Sequence, residues 1–406
     1  MRRVRSAVVG VVILGSAPAC TASPPAASPA TDGRTTVPAT PGTTTFDGPA
    51  ERGTGSTTTT TLLSTSTTST STAAPATSLA PASSATTITT VPPAPVDSPA
   101  WAAADAALRR RVNDAGLRGG ALIVVRGDEV LHDTSVGGVT RATALPVASA
   151  AKWFTAALLL TLVEDGTLSL DDPIERWLPA FPAPMTLRHL LSHTAGIPED
   201  DCLWDPGDTL ARCVDRLAQK PRRFVAGTAF AYGNSSFHVA GRLAEVAAGR
   251  SFATLFAERI GGPLGMASTG FGGGRNPSPA AGATTSADDY LRFMRMVASG
   301  GTGILSASSI DELRRDQTAG HDTGGDYAVG ITRIPTYGFG LWRDKVDPTG
   351  RAVIISGNGG RGFYPWIDDE TATLGVLAVD DVRGAEVAVP ASRAVVDLAI
   401  AAVPRP

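Results

Sequence analysis

Between Thr21 and Pro99 the chain contains little except Thr, Ser, Pro, Ala and Gly, and from Ser56 to Thr72 every residue is Ser or Thr apart from Leu62 and Leu63. A stretch so poor in apolar side chains cannot bury enough surface to offset the entropy of ordering it. It reads as a disordered tether over 20–100. The folded part is then 101–406, long enough for a sizeable core in one globular unit. The whole chain carries 35 Lys and Arg against 38 Asp and Glu, a net charge of −3. A nucleic-acid partner, which needs a basic face, is therefore excluded. No run of 18 or more apolar residues occurs, so no internal segment is expected to span a membrane.

Residues 1–19 have the anatomy of a signal peptide. Met1-Arg2-Arg3-Val4-Arg5 is basic, Ala7 to Leu14 is apolar, and Ala17-Pro18-Ala19 supplies small residues for cleavage. Cys20 follows at once, which resembles the lipobox of bacterial lipoproteins, although Ala17 and Pro18 depart from that pattern. The expected location is extracytoplasmic. A lipid anchor on Cys20 is favoured, with plain secretion as the alternative, and contact with a membrane is expected only through that anchor. Cys202 and Cys213 lie close enough in sequence to pair, and exported chains keep such bonds. With no suitably spaced His, two cysteines are too few to hold a metal.

Ala102 to Val112 has helical spacing of apolar residues and ends near Gly116. Ala121–Val125 and Val130-Leu131 flank Arg126-Gly127-Asp128-Glu129, a strand–turn–strand signal. Ser149 to Glu164 is a strongly apolar helix stopped by Gly166. From Leu168 to about Met296 the pattern is helical, broken by Pro and Gly. Short strands follow at Val353–Ile355, Phe363–Ile367 and Thr373–Val379, and a helix at Ser392–Val403. Strands at both ends around a helical middle predict an α+β fold. Its antiparallel β-sheet is flanked by the terminal helices, with an inserted, mostly helical subdomain.

Only Lys152, Lys220 and Lys345 among the 35 cations are lysines. The chain uses Arg wherever a generic positive charge will do. Lys152 nevertheless stands inside an apolar helix, three residues after Ser149, a spacing that places both on one face. Arg stays protonated, whereas a desolvated Lys can lose its proton and act as a base. Ser149 at the helix start also meets backbone N–H groups that favour developing negative charge. In a Ser-rich chain that pair alone is a weak signal. Phe230-Ala231-Tyr232-Gly233-Asn234 adds a phenol that a nearby ammonium would acidify for proton relay, and a carboxamide that can hold a substrate amide. Ser356-Gly357-Asn358-Gly359-Gly360-Arg361-Gly362 lies between two strands, and its glycines would let an edge strand approach a substrate. The bland alternatives are a half-buried Tyr and a plain turn.

In this order, the Ser-x-x-Lys, Tyr-x-Asn and third-strand elements resemble the serine β-lactamase and penicillin-binding-protein superfamily, in particular its class C, DD-peptidase and esterase branch. Leu162–Pro173, Leu187–Gly196, Pro263–Met266 and Thr284–Tyr290 look like framework segments of the same family. The resemblance implies that Ser149 is the nucleophile of an acyl-enzyme and that Lys152 and Tyr232 share the base and acid roles. It implies further that Asn234 orients substrate, that Asn358, Gly359, Gly360 and Arg361 form the third binding strand, and that an oxyanion hole combines N–H groups of Ser149 and of Gly360-Arg361. Where the family has Lys-Thr-Gly or His-x-Gly, this chain has Asn358-Gly359-Gly360, so attraction for a substrate carboxylate is in question. His189 and His193 stand four apart without the Glu of a His-Glu-x-x-His site, so no metal is expected, nor any other cofactor. Gly-x-Ser-x-Gly is absent. The expectation is an extracytoplasmic serine hydrolase of an amide or ester, DD-carboxypeptidase-like or esterase-like. Its partner is a small-molecule or peptide substrate, cell-wall material among the candidates. The rival is a binding or sensing protein that retains the fold without hydrolysis.

Overall fold

The computed structural model describes residues 99–405, apart from 182, 183, 273, 319, 322, 324 and 325. The signal peptide, Cys20 and all but the end of the tether lie outside the described residues. Helix α1 (Ala102–Asp114) leads into a hairpin of β1 (Gly119–Arg126) and β2 (Glu129–Gly137). A short β3 (Leu145–Pro146) precedes a 3-10 turn at Ala148–Ala150 and helix α2 (Ala151–Glu164). The middle runs through α3 (Leu187–Leu191), α4 (Leu210–Ala218), α5 (Ser235–Ala248) and α6 (Phe252–Phe256), then β4 (Gly270–Phe271), β5 (Ala283–Thr285) and α7 (Ala287–Ala298). After α8 (Ala307–Arg314) and α9 (Tyr327–Thr332) come β6 (Trp342–Val346), β7 (Ala352–Ser356), β8 (Tyr364–Asp368), β9 (Thr373–Val379) and α10 (Ala385–Ala402).

The main sheet has six strands in the order β2-β1-β9-β8-β7-β6, and its pairings are antiparallel. Strand β9 pairs with β1, setting Leu377 opposite Leu122, so the two ends of the folded part share one sheet. Side chains alternate across a strand, and the burial follows that period. Leu122, Val124, Leu377 and Val379 face a cluster completed by Leu108 of α1 and Val395 and Val396 of α10. Ala121, Ile123, Val376 and Ala378 face the larger core that contains α2 and α7. Residues Ala151 to Leu162 of α2 are all buried, as an all-round apolar helix must be. The α+β architecture with terminal helices on one face is the one the sequence predicts.

Three differences have local causes. Strand β6 carries Arg343, Asp344 and Lys345 and is not among the strands expected from the sequence, yet it forms the outer edge of the sheet, where charged residues keep an exposed edge from pairing further. Strands β3, β4 and β5 make a separate three-stranded sheet, each too short to show alternation. Helix α10 begins at Ala385, before the expected Ser392, and continues through Pro390. That proline removes one N–H from the ladder, while the buried Ala388, Val389 and Ser392 hold the turn in place.

Cys202 and Cys213 form a disulfide that ties the turn before α4 to α4 itself, with both residues buried. Alkylation of native protein recovered from outside the cytoplasm should therefore leave both thiols unmodified until a reductant is added. Modification of both without reductant would contradict the bond.

Candidate active site

Ser149 is half-buried in the 3-10 turn that opens α2. The residue before it, Ala148, has φ 47°, a left-handed conformation uncommon for a non-glycine residue. Such local strain gathers at functional sites. Lys152 lies one turn further on and is fully buried. Its Nζ donates to Ser149 Oγ at 3.0 Å, to Asn234 Oδ1 at 3.0 Å and to the Ala280 carbonyl at 3.2 Å. These three acceptors satisfy the three donors of an ammonium. Burial nonetheless pushes the lysine down to about 7, with Glu199 partly opposing the shift. Near neutral pH the amine is therefore available to take a proton from the serine it touches.

Tyr232 packs in a cage of rings. Its own ring is 5.2 Å from Trp342, stacked, and 4.4 Å from the imidazole of His193. Lys152 Nζ stands 4.9 Å from the phenol's ring centroid. The sequence suggests that this ammonium acidifies the phenol. The structure reverses the sign: burial raises the Tyr232 phenol above its usual value, and only the Ser149 side chain acts in the opposite direction. Desolvation of a would-be phenolate, joined by the carboxylates of Asp326 and Glu199, outweighs that contact. At neutral pH the phenol therefore keeps its proton, whereas the lysine is held low enough to accept one.

Asn234 sits at the start of α5 and is held by a residue that the sequence does not advertise. Glu199 Oε1 accepts the N–H of Asn234 at 2.7 Å and that of Ser235 at 3.0 Å, while Oε2 accepts Asn234 Nδ2 at 3.1 Å. The carboxylate caps the helix from outside the chain segment, which favours the positive end of the helix dipole. It also turns Asn234 Oδ1 towards Lys152. No local motif marks Glu199; only its position across from α5 gives it this role.

The third element departs from the predicted edge strand. β6 lies outside β7, and Gly357 to Gly362 form the loop between β7 and β8. A Cβ on Gly359 would lie 2.1 Å from the Val147 carbonyl, so the glycine permits close approach to the segment leading into Ser149 rather than to a substrate. Asn358 and Gly360 line the cleft with Ser149, Tyr232 and Asn234. The Asn358 side chain is buried, with Nδ2 lacking a partner among the described residues. Arg361 instead pairs with Asp380, Nε to Oδ1 2.5 Å, and is not among the residues lining the cleft.

The two histidines diverge. His189 Nδ1 accepts the Thr186 N–H in the cap of α3, whereas His193 is buried against Phe230, Tyr232, Phe237 and Tyr337. Among the described residues no group of three His, Cys, Asp or Glu side chains is arranged to hold a metal. The cleft has a volume of about 290 Å³, with an apolar wall of Tyr327, Ile331, Trp342 and Val389. A larger groove of about 710 Å³ lies elsewhere, beside Arg292, Arg351 and Thr373, and contains none of the groups just described.

The Beta-lactamase family model matches residues 104–400. Penicillin-binding protein 4 of Amycolatopsis lactamdurans is 33% identical over 253 residues, which is 50% of this chain and 66% of that protein, just short of two thirds of its length. Esterase EstB of Burkholderia gladioli is 26% identical over 356 residues, covering 67% of this chain and 88% of the esterase. A crystal structure from Bacteroides dorei DSM 17855, of a protein described only by likeness to beta-lactamases, superposes with a TM-score of 0.65 at 33% identity. That match covers 72% of this chain and 97% of the other.

Proposed function

Since the chain belongs to the Beta-lactamase family, we propose that it is an exported serine hydrolase that cleaves an amide or ester through an acyl-enzyme on Ser149. The observation that carries this reading is Lys152 Nζ at 3.0 Å from Ser149 Oγ, with burial holding that lysine near 7. Neutral Lys152 takes the Ser149 proton as Oγ attacks the carbonyl carbon. The resulting oxyanion is received by the N–H of Ser149 and by one from Gly360 or Arg361, three amides with no backbone acceptor among the described residues. Tyr232, protonated, passes a proton to the leaving group and is restored from the Lys152 ammonium. Water then attacks the ester carbonyl with the same pair acting in reverse.

The substrate is a small molecule or peptide, with cell-wall fragments included, and the activity is DD-carboxypeptidase-like or esterase-like. Cys20 is proposed to carry the lipid that ties residues 20–100, as tether, to a membrane, leaving 101–406 as the hydrolase domain. Secretion after plain cleavage is the alternative. No helix among the described residues is long and apolar enough to cross a membrane.

The missing cation of the third element makes the substrate range testable. A charge-assisted hydrogen bond to a carboxylate is worth about 1.5–3 kcal/mol. Asn358 is neutral and Arg361 is engaged by Asp380, so that attraction is lost. The loss corresponds to roughly 10–100-fold in kcat/KM for substrates that depend on it. We expect hydrolysis of p-nitrophenyl acetate or butyrate with poor turnover of benzylpenicillin and nitrocefin. Efficient nitrocefin hydrolysis would contradict the assignment of carboxylate recognition, and absence of any Ser149-dependent turnover would favour a non-hydrolysing sensor.

A further inference from the structure

Among the described residues that line the cleft, Glu199 alone carries a formal charge. The nearby cations are turned away or spent: Lys152 is buried beneath the serine with all three donors engaged, and Arg361 is paired to Asp380. A second carboxylate stands behind the wall, where Asp326 accepts the Tyr232 N–H at 2.9 Å. The formal charge that lines the cleft is therefore negative, opposite in sign to that of a site built to hold a carboxylate.

Glu199 is also placed for recognition. It is exposed, yet three N–H donors at the start of α5 fix its orientation. A carboxylate offers about four lone-pair sites, so at least one stays open to a ligand. A group held this firmly loses little freedom on binding. One carboxamide separates it from the catalytic pair: Asn234 touches Glu199 through Nδ2 and Lys152 through Oδ1, and Lys152 touches Ser149. Ser149 and Glu199 line the same cleft, so a cationic substituent on an acyl group bound there can be met by that carboxylate.

We infer that Glu199 determines specificity and selects acyl groups that carry a protonated amine beside the scissile carbonyl, the chemistry of an α-aminoacyl amide or ester. This rests on Ser149 being the nucleophile. Its ammonium donates to Glu199 while the rest of the acyl group lies against the apolar wall. A carboxylate at the same place is repelled. A residue that merely held Asn234 in place would affect every substrate alike; a specificity residue changes the ratio between charged and neutral ones.

The test uses diphenyl 1-aminoethylphosphonate, the phosphonate counterpart of an alanine ester, with its amine free, acetylated or succinylated. Ser149 Oγ forms the O–P bond, phenoxide leaves, and the serine proton passes to Lys152. Second-order inactivation constants are measured at about pH 7 on the full chain and on Glu199→Gln. The free amine is expected to react about 10-fold or more faster than the acetylated compound, the succinylated one slowest, as befits a charge-assisted contact. In Glu199→Gln the free-amine to acetyl ratio should collapse towards one. An equal fall for all three compounds, or an unaltered ratio, would overturn the inference and leave Glu199 as a positioning residue only. Failure of all three to inactivate the wild type would overturn the Ser149 assignment instead.

Discussion

Lys152→Arg is expected to lower the acylation rate by at least about 10², the lower range of what a positioned general base contributes. Arginine keeps the positive charge but stays protonated at any working pH, so it cannot receive the proton of Ser149. The same assignment dictates the pH profile. Lys152 is held near 7; below that pH it is an ammonium and cannot accept a proton, so kcat/KM should rise as pH increases through about 7 and then level. The limb should vanish in Lys152→Arg. Because Lys152 is fully buried, the larger side chain strains its surroundings, and a melting curve must accompany the kinetics. Activity near that of the wild type in a folded Lys152→Arg protein would mean that the lysine serves as a structural cation and that another group is the base.

Much of this site is legible in the sequence because its chemistry depends on short spacings. Ser149 and Lys152 are one helical turn apart, and that turn delivers the 3.0 Å contact. Tyr232 and Asn234 are only two positions apart and so arrive in the cleft together. The sheet is legible where alternation is long, as in β1 and β9, and it is lost in β6, where charged residues on an edge imitate a loop. What the sequence hides is set by partners distant in the chain. Glu199 acquires its role only when α5 is placed against it, 35 residues away. The sign of the shift on Tyr232 depends on how completely the ring is enclosed, which the nearby ammonium does not reveal. Arg361 reads as part of the third binding strand until Asp380 is seen beside it.

Ser149→Ala removes the hydroxyl that Lys152 Nζ touches, and it should abolish both turnover and covalent labelling while the circular dichroism spectrum stays that of the wild type. Loss of the covalent route is the largest effect expected of any single substitution, since the remaining hydrogen-bond donors can only bind. The most direct measurement is therefore to label the wild-type chain with a fluorescent serine-directed phosphonate, digest it and locate the modified residue by mass. The label is expected on Ser149, at one per chain, with none on Ser149→Ala. A label that maps to another serine, or that persists in Ser149→Ala, would contradict the acyl-enzyme on which the proposed function rests.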